Sequence, residues 1–129
     1  MKKVTRYALA SLLALCTTTA FAGAPIQLWH CELDDDATEE AVMAGVERWL
    51  ASARQVDGGA NLKVQVLFPV AVNAIGDFDM WKILSTTSFE EWGRFWDNYP
   101  DSPASDVEEK THEFLVCPDS ALWEVTKVE

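Results

Sequence analysis

The chain has 129 residues, 49% of them hydrophobic, and sets 10 basic against 21 acidic residues for a formal net charge of −11. That size suits one domain with one core, and the negative balance makes nucleic acid and anionic membrane surfaces poor partners.

The first segment reads as an address. Lys2, Lys3 and Arg6 precede an apolar run from Tyr7 to Leu15, and Ala20-Phe21-Ala22 closes it. A charged start, a short apolar middle and a small-x-small end predict a secretory signal peptide over 1–22, cleaved after Ala22. The run falls short of the about 20 apolar residues that a spanning helix needs. The expected mature chain, 23–129, is periplasmic or secreted and carries no membrane anchor after cleavage. Three of the ten basic residues and none of the twenty-one acidic ones leave with the leader, so seven against twenty-one remain, a net charge of −14. Cys16 leaves as well, because the bulky Leu15 before it does not suit lipoprotein processing. Cys31 and Cys117 stay, and an even pair in a small exported domain predicts a disulfide. Neither sits in a C-x-x-C arrangement, which argues against a reactive thiol pair.

Ile26 to Leu33 is predicted as the first strand, ended by Asp34-Asp35-Asp36. Asp36 with Glu39 three residues on predicts a capping box for the first helix, whose stripe is Val42, Val46, Trp49, Leu50 and Ala53. Asp57-Gly58-Gly59 ends that helix. Leu62 to Val70 follows as a strand with Leu62, Val64, Val66 and Phe68 on one side. A turn over Asn73 to Asp77, with Gly76, leads into a third strand from Phe78 to Ser85. Ser88 with Glu91 marks the second helix, in which Phe89, Trp92, Phe95, Trp96 and Tyr99 recur at helical intervals before Pro100 stops it. Between Asp101 and Ser120 lies an acidic insertion where Ser102 and Pro103 mark a short extra helix. Phe114 to Cys117 is read as extended, Pro118-Asp119-Ser120 as a turn, and Ala121 to Val128 as the last strand.

Strand, helix, strand, strand, helix, strand is the α+β ferredoxin-like plan, in which two helices cover one face of a four-stranded antiparallel sheet. Its last strand runs antiparallel beside the first, which brings Cys31 near Cys117. Both parities of the strands carry large apolar groups, Ile26 and Leu28 against Trp29 and Leu33, and Phe78, Met80 and Leu84 against Trp81 and Ile83. A sheet wet on one side would alternate cleanly, so something covers the second face, and the simplest cover is the same face of a second copy.

On this element order and amphipathicity the chain resembles the dimeric α/β-barrel (ferredoxin-like) superfamily across nearly the whole of 23–129. It departs from the plain pattern in the leader, the cysteine pair and the insertion near 101–120. The resemblance implies a homodimer packed sheet to sheet. Its members include cofactor-free monooxygenases, haem-binding relatives, isomerases of small acids, ligand sensors and stress-response proteins, and fold does not choose among them.

No nucleophile elbow, phosphate loop or dinucleotide fingerprint is present. The candidate catalytic residues are His30, beside Trp29 and Cys31, and His112, among Glu108, Glu109 and Glu113. Candidate ligand-binding residues are Trp29, Trp81 and Trp123, able to line a pocket for a small apolar or aromatic molecule. No metal motif is read: the two histidines lie far apart, and Glu32 with Asp34 to Asp36 lacks the glycine and closing glutamate of a calcium loop. No cofactor is called for. The expected function is an exported, disulfide-bonded, dimeric small-molecule-binding or stress-associated protein. The alternatives are a cofactor-free or haem-assisted monooxygenase or isomerase on this fold, and a non-catalytic interaction subunit.

Overall fold

A computed structural model describes residues 23–71 and 79–126. The leader, the turn with Gly76, Phe78 as the start of the third strand, and the end of the last strand lie outside the described residues. Within them the chain runs β1 (Ala24–Leu33), α1 (Glu39–Ala53), β2 (Lys63–Leu67), β3 (Met80–Ser85), α2 (Phe89–Asn98), α3 (Pro103–Thr111) and β4 (Leu115–Val125). The four strands form one sheet in the order β2-β3-β1-β4, every neighbour antiparallel. This is the ferredoxin-like topology with one added helix.

Local chemistry explains most of the helix boundaries. Ser88 caps α2 by accepting from the Glu91 N–H at 3.1 Å, and Ser102 caps α3 by accepting from Ser105, with Pro103 in the first turn. The Glu91 carboxylate reaches one residue further back than the expected capping box, to the N–H and hydroxyl of Thr87. At α1 the cap is Thr38, not Asp36: its hydroxyl accepts from Ala41 at 3.1 Å, because Asp34 to Ala37 close a turn of their own first. Beyond α1, Gly58 adopts φ 85° where a side chain would strike the backbone of α2 at Glu91 and Phe95.

β4 corrects the sequence reading most. Pro118-Asp119-Ser120 is not a turn but lies inside one continuous strand, and the expected extended piece and last strand are the same element. The β1–β4 register shifts between the pairs His30 with Asp119 and Glu32 with Val116, so Cys117 and Pro118 oppose Cys31 alone. That is a β-bulge on an edge strand, a place where a proline without an N–H is tolerated. The Cys31–Cys117 disulfide spans the bulge with the Cα atoms 4.0 Å apart and ties residues 86 apart in sequence.

The helices cover the sheet face that carries Gln27, Trp29 and Cys31 of β1, Met80, Lys82 and Leu84 of β3, and Val64 and Val66 of β2. The buried core there has two lobes. One gathers Trp49, Ala53, Val56, Leu62, Leu84, Phe95, Tyr99 and Ala104; the other gathers Cys31, Val42, Val46, Met80 and Leu115. Met80 belongs to one lobe and Leu84 to the other. Between them on the same strand face stands Lys82.

Candidate functional site

Lys82 is a charged residue that apolar packing does not explain. Strand alternation places it on the covered face, where its side chain is only 8% exposed. Its ammonium nitrogen lies over two indoles, 4.7 Å from the ring centre of Trp29 and 5.4 Å from that of Trp49. Cation–π contact of this kind offsets part of the cost of burying the amine. Among the described residues it makes no hydrogen bond and no ion pair. Burial holds its pKa below the ordinary lysine value, with Glu108 opposing the shift from a distance.

The amine faces a cavity of about 40 Å3. Gly45, Val46 and Trp49 of α1 form one wall, Glu108, Thr111 and His112 at the end of α3 form the opposite one, and Leu115 and Cys117 of β4 close the floor. Gly45 permits the close approach of these walls, since a methyl group there would come within 3.0 Å of the Phe114 ring. The disulfide thus fixes the floor of the cavity as well as the edge of the sheet.

A buried polar chain leads away from the site. The Trp49 indole N–H donates to the Tyr99 hydroxyl at 2.9 Å, and that hydroxyl donates in turn to the Glu108 carboxylate. Burial first, then the hydrogen bond to Glu108, pushes the Tyr99 pKa well above the ordinary phenol range, so the hydroxyl remains a donor. Glu108 is therefore held in place by Tyr99 while it fronts the cavity that contains Lys82.

The sequence candidates fall in three places. His112 sits at the cavity wall and also lines an open surface groove of about 300 Å3 with Glu32, Asp34 and Glu113. Trp29 forms part of the cage over Lys82 and stacks at a tilt on Trp96, 6.1 Å between ring centres. His30, Trp81 and Trp123 lie on the opposite, helix-free face of the sheet: the pairs His30 with Trp81 and Ile26 with Trp123 share that parity. His30 meets Trp81 edge to face at 3.9 Å. The structure thus separates His30 from His112 and Trp29 from the other two tryptophans. No three histidine, cysteine, aspartate or glutamate side chains among the described residues are grouped to hold a metal ion.

Lys82, Trp49, Tyr99 and Glu108 were not singled out from sequence. One signal was readable: Met80, Lys82 and Leu84 share a parity, so a lone charge interrupts an apolar strand face. The pairing of Tyr99 with Glu108, and of Tyr99 with Trp49 fifty residues upstream, has no local signature.

No family model matches the chain, and no curated protein matches it in sequence. Solved structures do match it in fold. The Arabidopsis thaliana protein At3g17210 superposes with a TM-score of 0.54 at 11% identity, covering 82% of this chain and 96% of that one. Its solution structure gives 0.52 at 12% identity, covering 84% and 92%. A putative chlorite dismutase, TA0507, gives 0.51 at 7% identity over 82% of this chain but 46% of its own, so this chain spans less than half of that protein's length. The chain has the ferredoxin-like fold.

Proposed function

We propose that this is an exported small-molecule-binding protein that works as a homodimer, with its ligand site in the cavity between α1, α3 and the sheet. One observation carries the reading: the amine of Lys82, a residue only 8% exposed, lines that cavity with no hydrogen-bond or ion-pair partner among the described residues. A largely buried amine without an acceptor or counter-ion costs stability, and a fold keeps such a group where a ligand supplies the missing acceptor. The leader sequence and the Cys31–Cys117 bridge support an oxidising compartment, periplasmic or secreted. The helix-free sheet face supports the dimer: Trp123 is 58% exposed, Val125 37%, and Ile26, Leu28, Trp81 and Ile83 share their face. The occupant we assign to that face is the same face of a second copy, which is self-complementary about a twofold axis.

A second reading, a cofactor-free enzyme acting on a small molecule, draws on Lys82 and Glu108 fronting one cavity, an acid–base pair in reach of one ligand. A haem-assisted version does not fit these residues. A pocket for a ligand of that size occupies on the order of 300–1,000 Å3, against about 40 Å3 here.

Native mass spectrometry of protein recovered from the export compartment without reductant tests the proposal. The expected species is a dimer of chains that begin at Gly23, each with an intact bridge, and with bound mass that a Lys82→Met variant does not carry. Reduced monomers with nothing bound would overturn it.

A further inference from the structure

We propose that Lys82 is the nucleophile of a carbonyl-capture site, forming an imine with a short-chain aldehyde that enters the cavity. The inference rests on the cavity being the ligand site and adds the chemical class of the ligand.

Three observations lead to it. First, among the described residues the amine makes no hydrogen bond or ion pair and it lines the cavity, so once it has given up its proton its lone pair is available to whatever enters. Second, the ordinary partner of a buried lysine would be an anion, but Glu108 fronts the same cavity and the chain is acidic throughout, so an anionic ligand meets repulsion on approach. A neutral electrophile meets none. Third, the cavity of about 40 Å3 sets the apolar Val46, Trp49 and Leu115 beside the polar Thr111 and His112, a size and lining for a molecule of a few heavy atoms with a polar carbonyl end and a short apolar tail.

Desolvation adds support, because burial favours the uncharged amine, which is the nucleophilic form. The step balances without any co-reactant. The nitrogen lone pair attacks the carbonyl carbon; the carbonyl oxygen takes up a proton and the nitrogen releases one, giving a carbinolamine. Loss of the hydroxyl group with a second proton from nitrogen gives the imine and one water. Glu108, oriented by the Tyr99 hydroxyl, is placed to carry those protons.

The test is reductive trapping on the bridge-intact protein with acetaldehyde as the probe and cyanoborohydride as the reductant, read by peptide mapping. Lys63 and Lys110, both exposed, serve as internal references. The expected result is an ethyl group on Lys82 ahead of both references by on the order of tenfold in rate, and a Glu108→Gln variant that loses most of that lead. Lys82 left unmodified, or modified no faster than Lys63 and Lys110, would overturn the imine. The indole N–H resonances of Trp29 and Trp49 separate the two ways of failing. If acetaldehyde moves them without alkylating Lys82, the imine falls and the ligand cavity stands; if they do not move and Lys82 stays unmodified, both fall.

Discussion

Replacing Lys82 by methionine should make the protein more stable. The amine is 8% exposed and has no hydrogen-bond or ion-pair partner among the described residues, and its main compensation is the contact with Trp29 and Trp49. Methionine keeps the length and apolar volume of the side chain and removes the desolvated charge. Substitutions that replace buried charge by a hydrophobic group of similar size are neutral or stabilise by about 1–4 kcal/mol; the cation–π contact offsets about 0.5–2 kcal/mol of that gain. A net gain of about 1–2 kcal/mol at pH 7 is expected, read as a higher urea midpoint with unchanged slope. The gain also has a pH signature. Burial holds Lys82 below its ordinary 10.5, so between the folded value and 10.5 the unfolded chain binds more protons and the stability of the natural protein rises with pH. The advantage of methionine should shrink across that window, by no more than about 1.4 kcal/mol per pH unit. Tyr99, whose raised pKa makes its own contribution present below pH 10 and lost above it, is common to both proteins and cancels in the difference. A variant destabilised by Lys82→Met, or a difference that does not change with pH, would refute the reasoning and make the amine a structural partner.

Removing the Cys31–Cys117 bridge, by reduction or by paired serine substitutions, should cost roughly 4–5 kcal/mol in the chain-entropy account of a loop this long, measured by urea unfolding with and without reductant. Trp123→Asp should convert the dimer to a monomer with unchanged far-ultraviolet circular dichroism, seen by sedimentation; a dimer that persists would show that the helix-free face is not the interface. Tyr99→Phe should cost about 1–3 kcal/mol, because the buried Trp49 N–H loses its acceptor, and it should weaken ligand retention by releasing Glu108. An unchanged midpoint in Tyr99→Phe would mean that water replaces the hydroxyl.

The helix caps at Ser88 and Ser102, the strands of the sheet and the disulfide were legible because each has a local cause: a hydroxyl one turn before an N–H, a period of two, an even cysteine pair. Pro118 misled because its turn chemistry was read alone, while its place opposite Cys31 on an edge strand was fixed by pairing with β1. Asp36 lost the cap to Thr38 because the preceding aspartates already close a turn. The site was harder. Trp29, Trp81 and Trp123 look alike as strand tryptophans, yet the register sends Trp29 to the helices and the other two to the open face. Lys82 became conspicuous once the two lobes of the core were seen to stop on either side of it.

The most direct test of the central claim is an NMR pH titration of the lysine side-chain resonances in the bridge-intact protein. The account predicts one ε-methylene signal, absent from Lys82→Met, that is displaced by the rings of Trp29 and Trp49 and titrates clearly below 10.5. A Lys82 signal with an undisplaced shift that titrates at 10.5 would mean that the amine is solvated, and the ligand site built on it would fall.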